Sequence, residues 1–363
     1  LITKKDCSTV NGIDLETEDS DMRGRVLAKD AGGLKAGAVL DRKAMSQLRR
    51  KGVKSAVVRS ALTCDAEDGV CAKCHGVGPE GSFPDVSDHV GMTAANSVAE
   101  PLAQGALNKK HQTAASGGKK EFSGFDYINQ LVESPESFKD RAVLSEEGGT
   151  VESIEEAPQG GHNVTVGGHK HYVPLDRELS VEVGAAMEQG DEISDGLIDA
   201  EDVVRLKGLG EGRRYYAERL FRMLKHSGAQ TTRRHVEVLA RAAMDHIILD
   251  DPIEEGWLPD DTVRYSHWAA RRQVPASAAQ VPIHKATGLT LQAPILHYTV
   301  GSKVTASMIT KLKETGYDNV IASQDEAPFK PTMLRIHAVP FADEDWLASM
   351  GTSYLGRQLQ ELG

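Results

Sequence analysis

Three cysteines crowd into the stretch from Cys64 to Cys74 as C-x6-C-x2-C, and the fourth, Cys7, stands near the amino end. The Cys71-x2-Cys74 pair, with Gly76 just beyond, suits two thiolates aimed at one ion from a tight turn. Cys64 and Cys7 can complete a tetrahedral four-thiolate shell, with zinc as a structural pin. His75 and His89 are alternatives to Cys7 as the fourth ligand, and a lone buried thiol beside a redox or chance trio is the plainer reading. Four cysteines in 363 residues are too few for a disulfide-dense scaffold.

Other chemistry is thinner. His162, His169 and His171 with Asp176 suggest a second metal site, because His-x-His places both rings on one strand face, yet a polar edge strand explains them as well. His235 and Glu237 stand two apart on a helix and so face different ways, which makes them structural rather than an acid/base pair. The pairs Arg213-Arg214 and Arg271-Arg272 could meet phosphates, although most such clusters are solvated surface. Trp257, Trp268 and Trp346 read as core or interface anchors. With no Gly-x-Ser-x-Gly and no Gly-x4-Gly-Lys-[Ser/Thr], neither serine-type catalysis nor independent nucleotide hydrolysis is indicated.

The elements that must position these groups fit two or three compact units. Hydrophobic residues make up 40% and charged residues 26%, as in globular proteins, and the 35 glycines with 5% aromatics point to many turns. A net charge of −11 repels nucleic acid as a whole, so any phosphate contact must come from local basic patches. No apolar run reaches membrane-spanning length and the amino end lacks a signal-peptide pattern, so the expectation is a soluble, intracellular, cytoplasmic chain without a membrane partner. The missing initiating Met points to processing, a fragment or an unobserved preceding segment.

The pattern predicts an α+β chain of several modules. Residues 1-90 form a zinc-binding module, with a short amphipathic helix from Leu40 to Arg49 capped by Asp41. Residues 91-120 form a helix and loop, with Pro101 forcing a break or a first-turn position and Ser116 to Lys120 a flexible loop. Residues 121-200 form a small β-rich module, barrel- or sandwich-like, in which Leu179, Val181 and Val183 alternate as a half-buried strand. Residues 201-256 hold two helices, with Val238, Leu239, Ala242, Ala243 and Ile247 on one face. Residues 257-363 are mixed: strand-like runs such as Ile295 to Val300, a helical Ala306 to Glu314 segment, and a final helix after Asp345. No repeat of fixed period is evident.

The stretch from Val57 to Cys64, followed by Gly69 to Gly76, is similar to the V-R-S-x-L-x-C and G-x-C-x-x-C-Y-G patterns of the β′ subunit of multisubunit DNA-directed RNA polymerases. Asp6-Cys7-Ser8-Thr9 resembles the family's D-C-G-T, which supplies a fourth thiolate, and in that family the four cysteines bind one zinc. Val90 to Gln104 resembles V-G-x-x-A-A-Q-S-I-G-E-P-G-T-Q and leads into the family's trigger helix, which closes on the incoming nucleotide. There His111 matches the trigger histidine, Leu107 stands for its Met and Asn108 for its Arg. An Arg fork pairs with triphosphate oxygens and an Asn does not reproduce that. The likeness runs in order through His171 to Gly196 and Tyr215 to Arg241. In the tail, Phe329 to Ile336 and Asp345 to Leu359 keep little of the family's pattern, which suggests a viral, phage-encoded or otherwise distant relative.

The resemblance implies the carboxy-terminal part of a β′ subunit, carrying the zinc module and trigger helix. The family's Asn-Ala-Asp-Phe-Asp-Gly-Asp loop, which holds the catalytic magnesium, does not occur. Magnesium would therefore come through a partner chain, and the expected partners are β-like and β′ amino-terminal subunits with DNA and RNA in the complex. The alternative is a β′-derived structural or interaction protein that has lost catalysis, such as a virion component or a modulator of a host polymerase.

Overall fold

The computed structural model describes residues 1–113, 124–135, 137–229, 231–251, 256–335, 338–342, 349–351 and 353; the side chains of 103–113, 124–126 and 340 are outside this description. In chain order the elements are β1 (Ile2–Thr3), β2 (Ile13–Glu16), α1 (Arg42–Arg50), β3 (Ser55–Val58), β4 (Val70–Cys71), α2 (Ala72–His75), α3 (Val90–Thr113) and α4 (Gly124–Glu133). Then come β5 (Gly149–Glu156), β6 (His162–Val166), β7 (His169–Val173), β8 (Ala186–Met187), α5 (Ala200–Lys207), α6 (Leu209–His226), α7 (Arg233–Ala243) and β9 (His246–Leu249). The remainder is β10 (Thr262–Arg264), α8 (Tyr265–Arg271), β11 (Ala279–Pro282), β12 (Thr290–Leu291), α9 (Ala306–Glu314), β13 (Asn319–Ser323), β14 (Phe329–Thr332) and α10 (Val339–Ala342). The fold is mixed α+β, with small, mostly antiparallel sheets around a helical centre.

The main core gathers where α6 and α7 cross. Tyr216, Leu220 and Leu224 of α6 and Val236, Ala240 and Ala243 of α7 are buried against Leu48 of α1, Val58 of β3, Leu131 of α4 and Ile247 of β9. The region after residue 200 contains three helices rather than two, because Gly208 (φ 88°) ends α5 and starts α6. The buried face of α7 is also set differently from the expected one, since Ala242 is exposed and Ile247 belongs to β9.

Residues 149–187 form a four-stranded sheet in the order β7-β6-β5-β8, over Val151, Val164, Val166, Val173 and Ile193. The Leu179–Val183 run is not one of its strands. Leu179 makes only an isolated bridge to Ser194, and Val183 is exposed. The Ile295–Val300 run is likewise a tight turn closed by a two-way Ile295–Tyr298 bridge, with Leu296 at φ 56°. The expected helices at Leu40–Arg49 and Ala306–Glu314 are present as α1 and α9. The Ser116–Lys120 loop lies outside the described residues, as does Asp345–Ala348, where the final helix was expected to start.

Two stretches of chain repeat each other at a constant offset. In residues 24–59 and 288–323, the Gly24 N–H donates to Leu40 O as Gly288 donates to Val304 O, both at 2.8 Å. Leu27 donates to Ala38 O and Leu291 to Ser302 O, both at 2.9 Å, and Ala28 meets Val57 O as Gln292 meets Ile321 O. Both copies make an isolated bridge at the same place, Val26–Val39 and Thr290–Lys303, carry a nine-residue helix and leave it through a glycine of positive φ, Gly52 (67°) or Gly316 (73°). Asp41 caps α1 through the Ala44 N–H, and Thr305 caps α9 through the Met308 N–H. β2 and β11 each pair antiparallel with the last strand of their copy, β3 and β13, in registers that differ by two residues. Only Gly24/Gly288, Leu27/Leu291, Gly37/Gly301, Leu48/Leu312 and Gly52/Gly316 are identical across the repeat. The copies share a core, in which Ala28 and Val57 of the first join Leu291, Ile309 and Leu312 of the second.

Candidate metal centre

Cys7 lies in the loop before β2, Cys64 follows a 3-10 turn at Ala61–Thr63, Cys71 ends β4 and Cys74 sits in α2. The parallel pairing of β1 with β4 brings the amino end to the Cys71 turn, with Thr3 opposite Cys71. The four sulfurs lie within 4.8 Å of one another, and Cys7 is 3.6 Å from both Cys71 and Cys74. A tetrahedral zinc with Zn–S near 2.3 Å requires sulfurs about 3.8 Å apart. All four are free thiols, three of them buried. This donor set and spacing fit zinc. Cys7 therefore joins the cluster, whereas His75 points its Nδ1 to Gly76 O and neither it nor His89 belongs to the group.

Four sulfurs this close together suit a cation between them. The Cys64 hydrogen bond lowers Cys7 to about 6 and draws Cys71 well below the ordinary thiol range. Cys64, beside Cys7, is raised, and Cys74, beside Cys64, is raised as well. A central dication is what would allow all four to be thiolates at once. Arg59 supplies part of this compensation, since its guanidinium reaches Cys7 and Cys71 at 3.2 Å and Cys74 at 3.4 Å while pairing with Asp6. Asp6 also meets Lys73 at 2.8 Å. Outer partners of this kind orient ligands.

The cluster is fastened to the helical centre by one face of α7. Arg234, Glu237 and Arg241 recur at i, i+3 and i+7. Arg234 donates to Val77 O and Arg23 O. Glu237 accepts a two-pronged pair from Arg25, both bonds 2.7 Å, and a third from Ser60 Oγ at 2.7 Å. Arg241 donates to the carbonyls of Cys64 and Ala66. Burial alone would raise the Glu237 carboxyl, but the Arg25 charge and its hydrogen bonds hold it below its ordinary value. Arg213 of α6 is buried on Asp245 at 2.8 Å and also reaches Leu62 O.

α3 rises from this cluster. Ala94 is packed with Cys64, Cys71, Cys74 and Val238. Pro101 does not break the helix, which runs unbroken from Val90 to Thr113. A proline removes the N–H that would bond the carbonyl four residues earlier, here Ser97. The Thr231 hydroxyl donates to that carbonyl at 2.6 Å, so the orphaned acceptor is satisfied from outside. Leu107, Asn108 and His111 fall on the last turns of α3, where their side chains lie outside the described residues.

The remaining sequence candidates resolve as structural groups. His171 is buried and accepts from the Glu146 N–H at 3.0 Å, whereas His169 is exposed; the only metal-type group among the described residues is the cysteine cluster. Arg214 pairs with Glu211 and Glu218, and Arg271 with Glu67. Arg272 lies over Trp268, which is buried against Phe329. Trp257 is partly buried against the main core, and Trp346 lies outside the described residues. Sequence reasoning missed Arg25, Arg59, Arg241 and Thr231. The available signal was a carboxylate, Glu237, between the apolar Val236 and Val238 of an amphipathic helix, a place that demands a buried partner.

The comparisons agree with this geometry. No protein-family model matches the chain. A protein of Ligilactobacillus salivarius named DNA-directed RNA polymerase subunit beta' is 26% identical over 311 residues, covering 77% of this chain and 25% of the relative. Its namesake in Lactobacillus johnsonii is 27% identical over 281 residues, 76% of this chain and 22% of that one. The one in Caldicellulosiruptor saccharolyticus is 30% identical over 286 residues, 72% and 24%. The chain is thus β′-like, and it spans about a quarter of the length of these curated relatives. Among the described residues no helix is long and apolar enough to cross a membrane.

Proposed function

We propose that this chain is the carboxy-terminal β′-like component of a multisubunit DNA-directed RNA polymerase, contributing a zinc module and the trigger-type helix to transcription. The observation that carries the reading is the seating of Ala94, at the root of α3, among Cys64, Cys71 and Cys74. The four thiols hold zinc as a structural pin, and α7 clamps that pin to the core beneath α3. Residues 1-90, 91-120, 121-200, 201-256 and 257-363 act as the zinc module, trigger-type helix and loop, β-rich module, helical segment and mixed tail. His111 stands near the incoming triphosphate, with Leu107 and Asn108 on the same helix. β-like and magnesium-loop-bearing β′ segments complete the active centre around DNA and RNA. The eroded tail motifs support a phage source, with assembly in the host cytoplasm or packaging in a virion.

Asn108 in place of the family's Arg favours a second reading, a β′-derived interaction protein without catalysis. Purification of the native complex through this chain, with mass spectrometry and metal analysis of one sample, separates the two. The polymerase reading expects about one zinc per chain beside a β-like chain and a magnesium-loop segment. Zinc with only capsid-type or self partners would overturn it.

A further inference from the structure

The internal repeat separates what the scaffold requires from what one copy adds. Both copies bury the same three helix positions, Ala44, Met45 and Leu48 in α1 and Met308, Ile309 and Leu312 in α9. Their solvent faces differ. α1 and its exit expose Arg42, Lys43, Arg50, Lys51 and Lys54, and the counterparts in the second copy are Ala306, Ser307, Glu314, Thr315 and Asp318. The fold therefore stands without cations at these positions.

Two of these cations also sit where the helix gains nothing from them, whereas Arg50 lies in the last turn, where a cation is favoured. Arg42 and Lys43 occupy the first turn of α1, which has no acidic residue, although the helix amino end favours negative charge. Among the described residues, Arg49 pairs with Glu18 at 3.6 Å, and none of Arg42, Lys43, Arg50, Lys51 or Lys54 has an acidic partner. In a chain of net charge −11, a local block of unneutralised cations is the kind of patch through which phosphates can be held. The nine residues of α1 span about 13 Å at 1.5 Å per residue, the length of about four phosphates along one strand at about 3.4 Å each.

We infer that the basic face of α1, continued by Lys51 and Lys54, is a sequence-independent contact for the phosphate backbone of duplex nucleic acid. The choice of a nucleic acid over an acidic protein rests on the β′-like reading. The contact is outside the metal cluster and belongs to the first copy of the repeat alone.

The repeat also supplies the test. The variant R42A/K43S/R50E/K51T/K54D copies onto α1 the residues that the second copy already carries on the same backbone. A control, K4E/K5T/K170A/K285D/K313S, makes the same net charge change at exposed lysines elsewhere. Zinc content and circular dichroism establish that each variant is folded. The full chain is titrated into a labelled duplex of about 30 base pairs, followed by fluorescence anisotropy across a salt series. Each phosphate contact contributes about 0.9 to the slope of log affinity against log salt. The α1 variant is expected to lose tenfold or more in affinity and about 3 to 4 units of slope, with the control close to wild type. Equal losses in both variants, no loss in either, or no duplex binding by the wild-type chain would overturn the inference. Binding of poly-glutamate but not duplex would assign the face to an acidic protein instead. Because the titration uses the chain alone, its failure is distinct from failure to find polymerase partners in the purified complex.

Discussion

Replacing Glu237 by Gln tests how α7 holds the metal-cluster region. The side chains of Arg25 and Glu237 are each 1% exposed, and Gln keeps the shape while removing the charge that Arg25 faces. Removing one partner of such a buried pair costs about 3–5 kcal/mol, because the other charge stays in a dry site uncompensated. At about 1.4 kcal/mol per tenfold, that is two to three powers of ten or more in the folded-to-unfolded ratio. Urea unfolding followed by tryptophan fluorescence at pH 7 measures it. Glu237 has a lowered carboxyl value in the folded chain. Its contribution is therefore complete above the unfolded value near 4.3 and is lost as pH falls through the lower folded value. Glu237→Gln should accordingly weaken the dependence of stability on pH below about 4.3. The double variant Arg25→Met/Glu237→Met, with both charges gone, should be less destabilised than Glu237→Gln alone. A cost below about 1 kcal/mol for Glu237→Gln would refute the claim that this pair is a buried, uncompensable charge.

Cys71→Ser should reduce bound zinc to under about a tenth of the wild-type amount by metal analysis, because a structural site tolerates the loss of a thiolate poorly. Thr231→Val leaves Ser97 O without its donor and should cost about 1–3 kcal/mol, with faster amide exchange in the middle of α3. In a Pro101→Ala background the restored N–H can take that carbonyl, so the same Thr231 change should be nearly neutral. Gly210→Ala would place a Cβ 2.0 Å from His297 O; the expected loss is about 1–3 kcal/mol or more, read as a lower unfolding midpoint.

The legible parts of the sequence were those in which a local pattern sufficed. The Cys64–Cys74 spacing signalled a metal turn, and α1 and α9 were readable because cap, apolar spacing and exit glycine all fall within a dozen residues. Cys7 was assigned on the family pattern, and the β1–β4 pairing is what brings it to the Cys71 turn. The misses share one cause, a dependence on distant residues. Pro101 signals a break locally, and only Thr231, far along the chain, removes the penalty. Ile295–Val300 has strand propensity, but Ile295 and Tyr298 bond each other and Leu296 O is taken by the distant Gly12 N–H, so tertiary context overrides the preference. The repeat escaped because its two copies share only three glycines and two leucines while nearly everything else has changed.

That divergence bears on how the molecule is built. The first copy ends at Arg59 and leads directly into the Ser60–Cys64 turn, so its strand β3 delivers one cysteine of the cluster and the guanidinium that braces the other three. The second copy ends at Ser323 with no cysteine after it, yet it packs on the first through Ala28 and Val57. Lys29 of the first copy also donates to Thr315 O at the exit of α9, at 2.9 Å. One copy thus supports the cluster and the other supports that copy. A change that loosens α9, such as Leu312→Ala in the fully buried position, should cost about 2–5 kcal/mol and should raise amide exchange at Ala28 and Val57 before it touches the zinc content. Zinc loss preceding that exchange would mean that the second copy braces the metal turn by some route other than β3.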